Sequence, residues 1–156
     1  MANGVGGKGN PGVAGYVQQI QGSIGYVEYS YAKSNSLPTA TLRNQAGSFV
    51  RPTADAFAAA AASANWDASE GSYVTLTNEP GEGAWPIVGA SFILIPKQPA
   101  DPAKAKEVLR FFDYAFKNGG DAATKLDYVP LPASVTDQIG KSWAAIKGQD
   151  GQPVWD

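Results

Sequence analysis

The chain has 156 residues, about the size of one ordinary domain, and its 44% hydrophobic and 17% charged content is globular rather than disordered composition. Twelve lysines and arginines against fourteen aspartates and glutamates leave a net charge of −2 with no run of like charge, which excludes the basic face that nucleic acid requires. Cysteine and histidine are both absent, so disulfides, thiolate chemistry, the commonest general base and the commonest metal ligand go with them.

The first element begins inside GVGGKGNPGVAG, residues 4–15. Asn10-Pro11 reads as a helix cap followed by proline at the first helical position, with Val13, Tyr16, Val17 and Ile20 at helical spacing behind it, which predicts a helix over residues 11–21 closed by Gly22. SIGYVEYSYA then predicts a strand over residues 23–28 and a short helical piece over 29–33. Residues 39–44 and 48–52 alternate as two short strands around Gln45-Ala46-Gly47, a hairpin signal. Thr53 caps an alanine-rich helix over 54–64, anchored by Phe57, and a further strand is expected at 73–76 within a polar, glycine-punctuated stretch.

IVGASFILIP, residues 87–96, is a nearly continuous run of β-formers and reads as a strand buried on both faces. Asp101-Pro102 opens an amphipathic helix whose Ala105, Val108, Leu109, Phe112 and Phe116 share a face, ended by Asn118-Gly119-Gly120. A last helix is expected over 133–147, with Trp143 as its core anchor. Helices and strands alternate throughout, so the class is α/β. The longest apolar stretch, residues 54–64, contains Asp55 and is too short to span a bilayer, and the start MANG has no charged segment leading into an apolar core, so no signal peptide is read in this chain.

The glycine-rich start has the look of a phosphate loop and fails the tests for one. A P-loop needs Ser or Thr after Gly-Lys, whereas Gly7-Lys8 is followed by Gly9, and the position five before Gly7 is Ala2. Gly7, Gly9 and Gly12 match the dinucleotide pattern, but no strand precedes them and Glu28 comes too early to hold a ribose. What survives is a helix start whose amides at Gly12 and Val13 could attract an anion. Carboxylate pairs at Asp67 with Glu70 and Glu79 with Glu82 lie in solvated loop sequence. Tyr26, Tyr29 and Tyr31 could form a stacking platform on a sheet, or simply pack, and Trp85-Pro86 could mark a hinge. Serines are numerous, yet without histidine the commonest activating base is missing, so no catalytic residue is assigned and the chain is not read as an enzyme.

GVGGKGNPGVAGYVQQIQGSIGYVEYSYA, AWPIVGASFILIPK, VLRFFDYAFKNGGDAATKLDYVPLP and the GQPVW ending, taken together and in order, resemble the C-terminal half of the PstS family, periplasmic phosphate-binding receptors of bacterial ABC importers. The resemblance implies a portion of a two-lobed periplasmic-binding-protein fold of type II, with sheets covered by helices and the lobes closing on one dehydrated phosphate. Residues 1–84 would be the later part of the second lobe, and residues 85–156 the crossover strand and C-terminal part of the first. The family's phosphate ligands are an Asp, an Arg and Ser, Thr and backbone donors that include a Ser-Gly-Thr loop. No Ser-Gly-Thr occurs here, and Arg43 and Arg51 stand outside the ligand motif, so the resemblance carries no phosphate-binding residue to this chain, and no metal or cofactor.

By the same resemblance the location is periplasmic and the partners are phosphate, bound only together with the N-terminal half, that half itself, and the ABC permease. The strands at 23–28 and 87–95 would lack sheet neighbours, and something must cover them. Two other readings stay open. One is a self-associating, element-swapped module, a homo-oligomer with no specific ligand. The other is a small-anion binder at the amides after Asn10.

Overall fold

A computed structural model describes residues 4–66 and 73–155. Helix α1 (Gly9–Gln19) starts two residues earlier than Pro11, because Gly9 takes φ +64 and swings the chain into the helix straight after Lys8. Residues 23–28 then lie back across α1. Gly25 is what lets them, since a Cβ there would stand 2.8 Å from Val13 Cγ1 and 2.9 Å from Val17 Cγ2. The short helix α2 (Tyr29–Ser34) follows where the sequence predicts a helical piece, and it packs on α1.

Strands β1 (Leu42–Arg43) and β2 (Phe49–Val50) form an antiparallel pair with Leu42 opposite Val50 and Arg43 opposite Phe49. The hairpin is the predicted one, shortened to two residues a side. Thr53 caps α3 (Ala54–Ser63), its Oγ1 accepting from the Ala56 amide at 3.2 Å, an arrangement that stabilises a helix by about 1 kcal/mol. The buried face of α3 is Ala56, Ala60 and Ala61, and side chains this small let another backbone approach. The Trp85 amide donates to the Ala56 carbonyl at 3.0 Å, and Ala84 is buried against the same face.

Helix α4 (Pro102–Asn118) begins as expected, with the Asp101 carboxylate accepting from the Lys104 amide at 3.0 Å and Pro102 in the first turn. Its face is apolar, but only Leu109 is fully buried, while Val108 and Phe116 remain partly open. The chain does not stop at Gly119. A second short helix, α5 (Gly120–Lys125), starts at once, and α6 (Ala133–Ser142) passes into a 3-10 turn at Trp143–Ala145 rather than running on to 147.

Two buried clusters hold these pieces. Ala61, Trp66, Leu76 and Val135 make the first, with the Trp66 indole donating to the Ala61 carbonyl at 2.8 Å so that its burial leaves no donor unpaired. Leu109, Trp143, Ile146 and Val154 make the second, and Ile139 of α6 touches both. Trp143 is the anchor expected of it, stacked on Phe116 and edge-on to Trp155.

Three expected strands are not strands. Residues 23–28 and 88–96 hold no regular secondary structure and belong to no ladder, and beside the 73–76 stretch the described residues show an isolated bridge between Thr77 and Ile87. β-forming side chains favour an extended backbone, but a ladder also needs a neighbour for each N–H and C=O. Among the described residues the regular sheet is the β1–β2 hairpin, so the mixed helix-and-sheet class stands with far less sheet than helix. No described helix is long and apolar enough to cross a membrane.

Candidate functional site

The glycine-rich start is not an open amide nest. The Gly12 amide donates to the Lys8 carbonyl at 3.3 Å, and Gly7 lies so close over the helix start that a Cβ on it would fall 2.5 Å from the Val13 nitrogen. The expectation of available amides at Gly12 and Val13 is therefore corrected: with the helix starting at Gly9, the unpaired donors are displaced toward Gly9 and Asn10, and Pro11 has none to offer.

Asn10 does not cap either. Its Oδ1 accepts from the Glu28 amide at 3.1 Å and its Nδ2 faces the Glu28 carboxylate at 3.5 Å. That contact staples the 23–28 stretch across α1 and brings a fixed negative charge to the end of the helix where an anion would sit. A second anion there meets repulsion.

The other candidates also separate. Tyr29 stands edge-on to Phe57 of α3, with ring centroids 5.4 Å apart, whereas Tyr26 is 93% exposed in the 23–28 stretch, so Tyr26, Tyr29 and Tyr31 share no sheet face. Glu79 and Glu82 lie in the loop before Ala84 with no hydrogen bond between them; Asp67 and Glu70 fall outside the described residues. Arg43 folds back on its own turn, donating from Nε to the Gly47 carbonyl at 3.4 Å, and Arg51 is exposed. Among the described residues no three of Asp and Glu converge as a metal would need.

Sequence reasoning missed Asn44. It is 6% exposed at the end of β1 and works with both ends of its amide: Oδ1 accepts from the Ser48 amide at 3.0 Å, and Nδ2 lies 2.7 Å from the Glu82 carbonyl, 3.1 Å from that of Ala84 and 3.2 Å from that of Gly81. The side chain closes the hairpin and ties it to the 81–84 loop 40 residues on. An asparagine at the turn of a hairpin was the available signal, and it reads equally as ordinary turn chemistry.

A second contact joins distant parts. Lys33, in the last turn of α2, pairs with Asp127 just past α5, 94 positions away, and the hydrogen bond it donates to Asp127 holds the ammonium pKa above its ordinary value.

What the molecule presents most conspicuously is unpaired apolar backbone. Residues 24–27 and 89–96 make no backbone–backbone hydrogen bond with any described residue. Ile24 is 92% exposed and Leu94 is 92% exposed, with Ile87 and Ile93 also open. Val108, Phe111 and Tyr114 add an exposed apolar stripe on α4. Side chains of this type standing in water, next to backbone without ladder partners among the described residues, make an open apolar surface.

Comparison with known proteins gives the family. A model of the PBP superfamily domain matches residues 2–118, three-quarters of the chain. The chain belongs to the PBP superfamily. Within that superfamily it is 54% identical over 97% of its length to the phosphate-binding protein PstS of Pasteurella multocida, and 56% identical over 90% to that of Haemophilus influenzae. A PstS of Methanocaldococcus jannaschii is 33% identical over 86%. The matched region is 44%, 42% and 38% of those relatives, so this PBP chain spans less than half of their length. The whole-chain resemblance read from the quoted segments is thereby borne out.

Proposed function

We propose that this chain is the part of a phosphate receptor that completes a ligand-bearing N-terminal half, and that it binds phosphate only with that half. The observation that carries the proposal is the pair of stretches, 24–27 and 89–96, apolar and without backbone hydrogen-bond partners among the described residues, in a chain that covers under half of relatives named as phosphate-binding proteins. The missing sheet neighbours and the missing ligands then have one source. Residues 1–84 belong to one lobe of this receptor and residues 85–156 return the chain through a crossover at 85–96 to the other. The receptor is not an enzyme: it works in the periplasm by closing on phosphate and delivering it to an ABC permease.

The test is to prepare the chain alone and together with the segment of the Pasteurella multocida relative that precedes the matched region, then to measure size and phosphate calorimetry. The proposal expects no phosphate heat from the chain alone and a one-to-one complex that binds phosphate. A lone monomer that binds phosphate tightly overturns it. A lone chain that forms a defined dimer, and is unchanged by the added half, would instead establish the self-associating reading.

A further inference from the structure

Helix α4 is more apolar than its one buried contact needs. Ala105, Leu109, Phe112 and Phe116 recur at three- and four-residue spacing and meet the second buried cluster, where Leu109 is fully enclosed and Phe116 stacks on Trp143. Val108, Phe111 and Ala115 form a second row at the same spacing directly beside the first, and Phe111 is 64% exposed. Away from both rows the helix carries its charge, with Arg110 paired to Glu107 and Lys117 to Asp113. A helix on the surface of a domain needs one apolar stripe, about 100° wide, whereas two adjoining rows suit a helix packed from two sides.

The open row borders the same cluster as the unpaired run. Ile95 packs on that cluster together with Ala105 and Phe112, while residues 89–96 make no backbone–backbone hydrogen bond with any described residue. A helix with its side chains is about 10 Å across and neighbouring strands lie about 4.8 Å apart, so one helix covers about two strands. Residues 89–96 can supply one of them.

We infer that α4 is the helix of an unfinished helix-on-sheet layer, and that its row of Val108, Phe111 and Ala115 is the docking surface for an apolar strand of the N-terminal half, hydrogen-bonded alongside residues 89–96. This rests on the receptor reading above, which supplies the partner: the relatives named as phosphate-binding proteins extend well beyond the region this chain matches. The strand turns alternate apolar side chains onto the row, and its backbone takes up the free N–H and C=O groups of the run.

The chain has no cysteine, so single thiols can be placed on the helix. Val108→Cys and Phe111→Cys, with Arg110→Cys on the charged side as control, are treated with a maleimide before and after addition of the N-terminal segment of the Pasteurella multocida relative. The thiols at 108 and 111 should react freely in the chain alone and at least about tenfold more slowly in the complex, with the thiol at 110 little changed. Phe111→Asp should weaken the complex about 10- to 100-fold, the loss expected when a large apolar side chain can no longer be buried, and leave the melting of the lone chain close to wild type, because the ring already stands in water there. A complex that binds phosphate but leaves the thiols at 108 and 111 equally reactive overturns the docking face and keeps the receptor reading. Protection of those thiols in the chain alone, rising with its concentration, gives the row to a second copy and likewise overturns the docking face. A wild-type chain that does not associate with the segment overturns the receptor reading and the docking face with it.

Discussion

Replacing Asn44 with alanine should cost more than its position in a surface hairpin suggests. The substitution removes an acceptor 3.0 Å from the Ser48 amide and a donor group within reach of three carbonyls, those of Gly81, Glu82 and Ala84. An amide nitrogen has two hydrogens, so two of those three contacts can be well made at once, and the 2.7 Å contact to Glu82 is one of them. Three hydrogen bonds at about 1 kcal/mol each, less what water recovers at the half-open Gly81 and Glu82 carbonyls, gives a loss of about 2–3 kcal/mol. For a protein of this size or somewhat larger that is roughly 5–10 °C in melting temperature. Asn44→Asp should be at least as harmful, because it turns a carboxylate oxygen toward three carbonyl oxygens. Urea and thermal melts followed by circular dichroism, on the chain and on its complex with the N-terminal half, measure both. An Asn44→Ala variant within about 0.5 kcal/mol of wild type would refute the idea that this side chain joins the hairpin to the 81–84 loop.

Gly25→Ala forces a methyl into Val13 and Val17, whose branched side chains have little freedom on a helix, and should cost about 1–3 kcal/mol in the same melts; a neutral result means that residues 23–28 do not rest on α1. Lys8→Ala should leave the phosphate affinity of the assembled receptor unchanged within about twofold, since the Gly12 amide is engaged, Gly7 closes over the helix start and a carboxylate stands beside it; a loss of tenfold or more by calorimetry would restore the loop as a phosphate site. The hydrogen bond Lys33 donates to Asp127 raises its pKa above the ordinary 10.5, so the pair's contribution is fully present below that value and is lost as the pH climbs through the raised one. The melting difference between wild type and Asp127→Asn should accordingly be constant from neutral to mildly alkaline pH and vanish at higher pH, and a difference that persists there contradicts the assignment.

Local chemistry was readable wherever one side chain decides the outcome. Thr53 and Asp101 cap the helices they were expected to cap, and Gln45-Ala46-Gly47 turns the hairpin, because each signal acts within four residues. Asn10 shows the limit of such signals: it has the right type and spacing for a cap, but Glu28, 18 residues on, competes for its side chain. Residues 23–28 and 88–96 fail for a different reason. Their side chains favour an extended backbone, but a ladder is a property of two segments, and the described chain supplies only one of each pair. The candidate site was legible mainly as exclusion: no histidine or cysteine, and no recognised phosphate loop. The Lys33–Asp127 pair, a contact across 94 positions, has no local signature, and the link Asn44 makes across 40 positions shows locally only as ordinary turn chemistry.

The open run around Phe92, Ile93 and Leu94 has a consequence for how long such a chain lasts. Proteases grip a substrate by drawing it out as one more strand along their own cleft, and most folded proteins must first unravel locally to offer one. Here the offer is already made, with apolar side chains suited to chymotrypsin- or thermolysin-like pockets at successive positions. The uncovered chain should be nicked first between residues 89 and 96 and leave the Trp143-centred C-terminal piece as a recognisable product, so its survival becomes a readout of whether that stretch has found its cover.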